Sequence, residues 1–494
     1  MDARERVGID KFCNEEKMVT TTRWQAGAVL TFLVFSAGTM LGQVSTPDSG
    51  LTFSGLIPIP NWTTSAAGVD LSSYNPVTQV LYYADHVAHG VLAIDTKTNS
   101  VLGWVPVPNC TGSSCPSGVL VVPDLQKLVV TDRGTTAYIY DLNLAGSPPA
   151  AVTVPTAIDE LDYDPIHQRI YLGNTTAPFF LTGIDLTGPN ANTVTASIPI
   201  PGSAEQPRFN PVDGFTYLTI PSVGVLKIDP DAGSAGTGDI VATYTLSNCS
   251  GNGNWIDPVT NTMLVGCNNV AGQALVNLAD GSVLTQFPQA TRDDVMGFNS
   301  ANRRWYSASG SNANNGGKCP ATNAGNVYPI VGVFAAGTAS APTATLAGAA
   351  CSGRGGSTLA VDPIHSNVFV PVAQYPLDPA SATTGQPGIM VFHDPATTQV
   401  LPAHSQATLG SNGTADFAVQ GRAMNVTAVL TGLADAPTEL VVTTTVGNEV
   451  VPCFEITGQA YCIGKLNGDP MIGGMTLLGN GFKVLSKGKI ALAK

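Results

Sequence analysis

A short pattern of apolar and polar positions repeats seven times along this chain. Each copy contains an aromatic or aliphatic residue, a polar turn usually spelled Asp/Asn-Pro, and a run rich in β-branched and aromatic residues. Proline and Asp or Asn favour a tight turn, and the run after it is typical of a β-strand. The copies begin at Tyr74, Val122, Tyr163, Phe209, Ile256, Phe298 and Val361. Their spacing of about 45 residues predicts one four-stranded sheet per copy, and therefore an all-β, seven-bladed β-propeller.

Within each copy we expect four strands, A to D, ordered from the channel outwards. Strand A leads into the turn, strand B follows it, strand C ends in a polar residue, and strand D is outermost. The segment Phe53–Asn61 matches strand D of the first copy, Val101–Asn109, but no strands A to C precede it. We therefore expect this segment to supply the outer strand of the seventh blade, which closes the ring and removes its open edges.

The Asp/Asn-Pro turn, the Ile/Leu-Tyr pair of strand B and the Ile-Asp end of strand C resemble the repeat of the YVTN family of β-propellers. The resemblance covers residues 53–395 and implies a YncE-like or lactonase-like ring. That family includes binding proteins and enzymes, and none of its catalytic signatures matches this chain residue by residue. The resemblance therefore implies a fold without implying a particular activity.

The N-terminal region has the pattern of an export signal. Arg23 precedes the apolar run Ala26–Ala37, and small residues follow it. This order of charged, apolar and small residues predicts a signal peptide over residues 1–42, with Met18 as an alternative start. A retained N-terminal anchor is the other interpretation of the same run. We expect a secreted, extracellular or periplasmic protein with no membrane association once the leader is cleaved.

The rest of the chain divides into three parts. Residues 43–395 are predicted to form the propeller and residues 396–412 a linker. Residues 413–494 contain strand-like runs such as Ala423–Leu430 but lack the blade turn. They predict a small β-sandwich of immunoglobulin-like type.

Charge and composition exclude some partners. The net charge is −13, and only 12% of the residues are charged. Nucleic acids and anionic membranes are bound through Lys and Arg, so neither is an expected partner. The expected partner is a small molecule, a polysaccharide or a surface protein.

Eight cysteines remain after the leader, which carries Cys13. An even number in an exported chain indicates disulfides. Nearest-neighbour pairing is the simplest of the possible arrangements, and the blade topology brings the members of each propeller pair close together. The predicted pairs are Cys110–Cys115, Cys249–Cys267, Cys319–Cys351 and Cys453–Cys462. Those in the propeller lie in or beside the B–C and D–A loops, which emerge on the same face.

That face surrounds the channel mouth, where the inner strands begin with polar residues. Carboxylate and amide oxygens are the ligands that Ca²⁺ prefers. One hypothesis is a Ca²⁺ site, and the other is a solvated acidic rim. The residues proposed as ligands are Asp159, Glu160, Glu205, Asn254, Asp293 and Asp294, with Gln206 and Asn252 beside them. Asp229–Asp239 is a further acidic loop, but it lies on the opposite face and lacks EF-hand spacing.

The first blade offers a second group of chemically active residues. Asp85, His86 and His89 follow one another in its B–C loop, where they form either a base or metal site or a set of exposed loop side chains. His167 and His365 occur in the repeated Asp-Pro-Ile-His turn, so we interpret them as turn residues.

Two functions are compatible with these patterns, and a third is weaker. The first is a binding protein with its ligand at the channel mouth and no cofactor. The second is a Ca²⁺-dependent hydrolase of lactone or ester type at the acidic mouth, by analogy with other propellers. The third, a quinone-dependent oxidoreductase, depends only on the use of propellers for that chemistry.

Overall fold

The computed structural model describes residues 49–396, apart from short gaps, and the strands between residues 404 and 490. The gaps are residues 65–67, 77, 124, 143–145, 211, 233–237, 259, 270, 300–301, 314–318, 323–326, 339 and 378–383. The predicted leader lies outside the described residues. All described residues belong to the unit Gln43–Lys494. Among these described residues, no helix is long and apolar enough to span a lipid bilayer.

Seven antiparallel four-stranded sheets form the propeller, which confirms the predicted blade number. The first four blades run from the inner to the outer strand as follows. Blade 1 is β2 (Val69–Asn75), β3 (Val80–Asp85), β4 (Gly90–Asp95) and β5 (Ser100–Pro106); blade 2 is β6 (Val119–Val122), β7 (Lys127–Thr131), β8 (Thr136–Asp141) and β9 (Ala150–Thr153); blade 3 is β10 (Ile158–Asp164), β11 (Arg169–Asn174), β12 (Phe180–Asp185) and β13 (Thr193–Pro199); blade 4 is β14 (Pro207–Asn210), β15 (Phe215–Ile220), β16 (Gly224–Asp229) and β17 (Asp239–Tyr244).

The last three blades follow the same plan. Blade 5 is β18 (Gly251–Asp257), β19 (Thr262–Cys267), β20 (Gln273–Asn277) and β21 (Val283–Phe287); blade 6 is β22 (Val295–Asn299), β23 (Arg304–Ser309), β24 (Ile330–Thr338) and β25 (Ala341–Cys351); blade 7 is β26 (Ala360–Asp362), β27 (Asn367–Tyr375), β28 (Gln386–His393) and β1 (Thr52–Pro58). The first strand of the chain, β1, pairs antiparallel with β28, with Ile57 opposite Ile389. This pairing confirms the predicted closure of the ring.

The polar turns between the inner two strands hold their shape through side-chain hydrogen bonds. In blade 3, Asp164 Oδ1 accepts from the backbone N–H groups of Ile166 and His167, and Asp164 Oδ2 lies 2.5 Å from His167 Nδ1. Blade 7 repeats this arrangement, with 2.6 Å between Asp362 Oδ2 and His365 Nδ1. These contacts agree with the interpretation of both histidines as turn residues. His167 Nε2 also lies 2.9 Å from Asp231 Oδ1, which is part of the acidic loop Asp229–Asp239.

The core is divided among the gaps between blades. An apolar cluster fills each of the seven gaps, because both faces of every sheet carry buried apolar side chains. The cluster that joins blades 7 and 1 contains Ile57 and Ile389 together with Leu81, Tyr83 and Phe369. The strand that closes the ring therefore also contributes to the apolar packing between the last blade and the first.

The four predicted disulfides are all present. Cα–Cα distances are 5.5 Å for Cys110–Cys115, 5.0 Å for Cys249–Cys267, 5.3 Å for Cys319–Cys351 and 4.0 Å for Cys453–Cys462. Disulfides form and persist in oxidising compartments. The four bridges therefore indicate a location outside the reducing cytosol.

The C-terminal region is all-β, as expected, but its topology differs from the expected sandwich. Its strands are β29 (His404–Thr408), β30 (Gly413–Gln420), β31 (Ala423–Leu430), β32 (Pro437–Thr444), β33 (Gly447–Ile456), β34 (Gln459–Leu466), β35 (Pro470–Gly479) and β36 (Val484–Ile490). They form a closed barrel, because β29 pairs with β36 and leaves no free edge. The strand β29 falls within the stretch predicted to be a linker. Val441 of β32 is buried with Ile166 and Phe209 of the propeller.

Replacing Ile57 with Ala tests whether β1 seals the ring. Ile57 is 5% exposed, and its truncation leaves a cavity between blades 7 and 1. We expect the free energy of unfolding to fall by about 2 to 5 kcal/mol, measured by urea denaturation. The control is Thr52→Ala, at an exposed position of the same strand, with an expected change of about 0.5 kcal/mol or less. Equal effects of the two substitutions would contradict the proposed seal.

Candidate functional site: an acidic ring at the channel mouth

Each inner strand has one residue at the same place relative to its turn. This residue stands four positions before the aromatic or aliphatic residue that opens the Asp/Asn-Pro pattern. In blade order, the seven residues are Asp70, Gly118, Asp159, Glu205, Asn252, Asp294 and Ser357. All lie where the inner strands begin, so the propeller places them around one end of the channel. We call the four carboxylates among them, Asp70, Asp159, Glu205 and Asp294, the acidic ring.

The four carboxylates interact with one another electrostatically. Burial raises the pKa of Glu205 to about 8, and the nearby charges of Asp159 and Asp294 add to this effect. Burial and then Asp159 raise the pKa of Asp70 well above its ordinary value. Desolvation also raises the pKa values of Asp159 and Asp294. Like charges that share a partly desolvated site disfavour ionisation, so the ring holds protons at a pH where isolated carboxyl groups have lost them.

Blade 2 contributes a cation instead of a carboxylate. Arg133, in the loop between β7 and β8, places its Nη1 atom 3.0 Å from Asp70 Oδ2 and 3.0 Å from Asp159 Oδ2. Its backbone has a φ of 57°, and Asp132 Oδ1 holds the loop by accepting from Gly134 N–H and Thr136 N–H. The Arg133 charge opposes the increase in pKa of Asp70, Asp159 and Glu205.

Glycine is required at the ring position of blade 2. A Cβ atom on Gly118 would lie 2.4 Å from the carbonyl oxygen of Asp159 and 2.6 Å from Thr131 Oγ1. Any larger residue would therefore push blades 2 and 3 apart. This close approach lets Thr131 donate a hydrogen bond to the Asp159 carbonyl oxygen at 3.0 Å, which positions the backbone of one ring residue.

Irregular pairing of the inner strands occurs at three of the ring positions. The register between the first two strands shifts between Val69 and Ser72 in blade 1 and between Ile158 and Leu161 in blade 3. Blade 5 shows the same shift between Gly251 and Asn254. Each shift spans the ring residue of its blade. A β-bulge releases a residue from regular pairing and changes the direction of its side chain, so the backbone sets these ring residues apart from the blade core.

Glu160 lies beside the ring and is more deeply buried. Its relative exposure is 6%, and its Oε2 atom has no hydrogen-bond partner in the described part of the chain. Burial raises its pKa well above the ordinary value, and the charges of Glu205 and Asp159 raise it further. The arginine that opposes this effect is Arg208, on the next blade. A buried carboxyl oxygen without a partner is costly, and it is near enough to the ring to interact with its charges.

Two other residues predicted as ligands lie in the gaps between blades. Asp293 is fully buried, and burial raises its pKa to about 7. Asn254 Nδ2 donates to the Gln206 carbonyl oxygen and to Thr219 Oγ1, both at 2.6 Å. This pair of bonds ties blade 5 to blade 4. At the ring itself the amide is Asn252, whose Nδ2 donates to Asp294 Oδ1 at 2.8 Å.

The structure separates the three residues proposed as a base or metal site in blade 1. Asp85 is fully buried, and its Oδ2 accepts from the indole N–H groups of Trp62 at 3.1 Å and Trp104 at 2.8 Å. Its Oδ1 accepts two backbone N–H groups of the following turn. Asp85 is therefore occupied by structural hydrogen bonds and does not pair with a histidine.

The two histidines of this loop point to different neighbours. His86 Nε2 lies 3.7 Å from Asp70 Oδ2, so this imidazole lies beside the acidic ring. Burial and the charge of Arg133 lower the pKa of His86. His89 Nδ1 lies 3.4 Å from the carbonyl oxygen of Cys115. Of the three residues, His86 is the one that the fold brings to the acidic ring.

Sequence reasoning missed Asp70 and Arg133. The signal for Asp70 is its position: it precedes Tyr74 by the same four residues that separate Asp159 from Tyr163. No sequence signal singles out Arg133, because its contact with Asp70 joins two blades and depends on the conformation of a loop.

Among the described residues, no group of three or more His, Cys, Asp or Glu side chains has an arrangement suited to a metal ion. Neither a known family model nor a curated protein matches this chain. The fold and the acidic ring are therefore the observations from which a function has to be argued.

Substituting Glu205 tests the charge balance of the ring. The folded-state pKa of about 8 lies above the ordinary value of 4.5, so the folded protein binds this proton more tightly than the unfolded chain. The stabilisation that comes from protonated Glu205 is fully present below the pKa of this group in the unfolded chain, and it is lost as the pH rises towards 8. We expect Glu205→Gln to raise the melting temperature relative to the native chain at about pH 9 and to leave it nearly unchanged at about pH 4.5.

The control for this prediction is Glu205→Asp, which keeps the charge. It should retain the loss of melting temperature between the two pH values, whereas Glu205→Gln should reduce it. A Gln variant with the same pH dependence as the native chain would show that Glu205 ionises normally.

Proposed function

We propose that this protein is a binding protein that holds a cationic group of its ligand in the acidic ring. A β-propeller is consistent with a binding role. The observation that carries the more specific proposal is the grouping of four carboxylates at equivalent positions of four blades, opposed by Arg133. The excess of negative charge attracts a cation and discriminates against anions.

The contacts of Arg133 indicate which kind of cation fits. One nitrogen of its guanidinium, Nη1, lies 3.0 Å from both Asp70 Oδ2 and Asp159 Oδ2, so the spacing of these two carboxylates accepts a positively charged N–H donor. Among the described residues, neither Glu205 nor Asp294 forms an ion pair with a basic side chain. An ammonium or guanidinium group of a ligand would complete this side of the ring. It would also relieve the repulsion that raises the pKa of Glu205.

The wider setting of this function is proposed on the same basis. The four disulfides and the apolar run after Arg23 support export to the periplasm or the extracellular space. The Asp-Pro turn, whose carboxylate binds the following backbone N–H groups, supports a relationship with the YVTN propellers. A small molecule, a polysaccharide amine or a basic side chain of a surface protein would each present the required group.

The test measures thermal stability with small cations as probes. A ligand that binds the folded state raises the melting temperature by linkage. At about pH 9, where Glu205 is ionised, we expect propylammonium and propylguanidinium to raise the melting temperature more than propanol does at the same ionic strength. The double variant Asp159→Asn with Glu205→Gln should lose this increase.

Asp239→Asn, at an exposed carboxylate on an outer strand, serves as the matched control and should keep the increase. Equal effects of propanol and propylammonium, or an unchanged increase in the double variant, would overturn the proposal. Calcium with and without EDTA forms a further arm. A stabilisation by Ca²⁺ that EDTA reverses, with none by the organic cations, would favour a metal site instead.

One observation supports the hydrolase as a second candidate. Glu205 has a pKa raised to about 8, which suits general acid–base catalysis near neutral pH. If the mouth is catalytic, the native protein should hydrolyse lactones or phenyl esters, and Glu205→Gln should lower kcat/KM by about tenfold or more. Absence of hydrolysis both with Ca²⁺ and with EDTA would contradict the hydrolase function and leave binding as the remaining proposal.

A further inference from the structure

A largely apolar cavity of about 300 Å³ occupies the half of the channel that lies towards the Asp/Asn-Pro turns. Residues from the inner strands or their turns line it in all seven blades. Its volume lies at the lower end of the range found for small-molecule sites. The cavity reaches the end of the channel opposite the acidic ring, because its wall includes the turn prolines Pro76, Pro123, Pro165, Pro258 and Pro363.

Apolar side chains separate this cavity from the acidic ring. Leu71 directly follows Asp70 in the sequence, and Val295 directly follows Asp294. Leu71, Leu161 and Val295 belong to one buried apolar cluster, with exposures of 6%, 3% and 6%. They come from blades 1, 3 and 6, which are not adjacent, so their packing crosses the channel. A ligand in the cavity therefore does not reach the ring carboxylates.

Aromatic side chains from five blades form part of the cavity wall. They are Tyr74, Tyr163, Phe209, Trp255 and Phe298. All except Trp255 open the repeated turn pattern of their blades, so the repeat places four aromatic rings at the same level of the channel. Aromatic rings form favourable edge-to-face and offset contacts with other rings. The wall therefore favours an aromatic ligand over an aliphatic one of similar size.

The charged side chains of the wall already have partners. Asp162 Oδ1 lies 3.5 Å from Arg208 Nη1, and Asp162 Oδ2 accepts from Phe209 N–H at 2.6 Å. The Arg208 guanidinium also stacks 4.2 Å from the ring centroid of Trp255, and its Nε donates to the Asn254 carbonyl oxygen at 3.2 Å. An ionic ligand would lose its hydration here without gaining an unpaired countercharge. The wall therefore favours a neutral ligand.

The uncharged polar groups of the wall place little demand on a ligand. Ser72 Oγ donates to the Leu359 carbonyl oxygen at 2.8 Å, and Ser73 Oγ accepts from Val121 N–H at 2.9 Å. Tyr74 Oη differs, because it is buried and has no hydrogen-bond partner among the described residues. A mainly apolar ligand with one polar group is therefore compatible with this wall.

We propose that the cavity binds a small neutral aromatic molecule of one or two rings. This inference goes beyond the proposed function and is independent of it, because the acidic ring takes no part in the site. An apolar cavity of about 150 Å³ holds benzene. The cavity of about 300 Å³ therefore has space for a two-ring molecule such as indole.

The experiment measures the affinity of the purified protein for benzene and indole by isothermal titration calorimetry. We expect indole to bind at least about tenfold more tightly than benzene, because each further buried carbon strengthens binding about fourfold.

Competition with bound indole then tests the ligand class near neutral pH, where phenol is uncharged. Phenol should displace indole at least about tenfold more strongly than benzylammonium or benzoate, because the ions lose their hydration. Cyclohexanol, which has the size of phenol without its aromatic ring, should compete about twofold or more weakly than phenol.

Two matched variants locate the site. Leu120→Trp places a larger side chain at a half-buried position of the cavity wall and should weaken indole binding by about tenfold or more. The control Leu102→Trp, at an exposed position on an outer strand, should bind indole like the native chain. The double variant Asp159→Asn with Glu205→Gln should also keep the native affinity. Melting temperatures show whether each variant folds, and the competition series on the native protein needs no variant.

The outcomes separate this inference from the proposed function. Absence of binding by both benzene and indole would overturn the cavity site and leave the cation site of the acidic ring unaffected. Displacement by the two ions as strong as that by phenol would contradict a neutral ligand, and equal competition by cyclohexanol would contradict an aromatic one. Indole binding that survives in Leu120→Trp, or is lost in the double variant, would place the ligand outside the cavity.

Discussion

The structure depends on mutual burial between neighbouring sheets. Every blade has two apolar faces, and each face is covered only by the adjacent blade, so that seven apolar gaps hold seven sheets. A single four-stranded sheet of this composition would leave both of its apolar faces in water. The closed propeller covers the apolar faces of all seven blades at once. The strand β1 makes this closure possible, because the first strand of the chain completes the last sheet.

The same constraint creates the candidate site. Repetition of one blade around an axis turns a single sequence position into a circle of seven side chains. Where that position lies at the start of the inner strand, packing does not require an apolar residue, and four blades place a carboxylate there. Concentrating like charges in a desolvated mouth is unfavourable, which is visible in the raised pKa of Glu205. The Arg133 charge offsets part of this repulsion, and a bound cation would relieve the remainder.

The propeller was predictable because its signal is local and repeated. The Asp/Asn-Pro turn fixes the junction of strands A and B in each blade, and the likeness of Phe53–Asn61 to Val101–Asn109 revealed the closure. Nearest-neighbour pairing predicted the four disulfides, and the blade topology supported the three in the propeller. The C-terminal barrel was less predictable, because strands such as Ala423–Leu430 read alike in a sandwich and a barrel. The difference arises from the pairing of β29 with β36, which leaves no trace in local sequence.

The site was predictable in part. Asp159, Glu205 and Asp294 were identified because acidic residues cluster before the inner strands. Asp293 directly precedes Asp294, and Asn254 stands two residues after Asn252 across an irregular register. Both side chains lie in the gaps between blades, where Asn254 donates to the Gln206 carbonyl oxygen and to Thr219 Oγ1. Asp85 looked reactive beside His86, and instead binds two tryptophans. Where a bulge interrupts the alternation of a strand, the local sequence does not determine to which side of the sheet a polar side chain points.

The pairing of β1 with β28 has a consequence for the order of folding. Ile57 is among the earliest propeller residues to be synthesised, and its partner Ile389 is among the last. Until the seventh blade exists, the β1 segment has no sheet to join and remains an unpaired edge. Completion of the wheel is therefore a late event of high contact order. A chain interrupted before β28 would leave two exposed sheet edges that could recruit another copy.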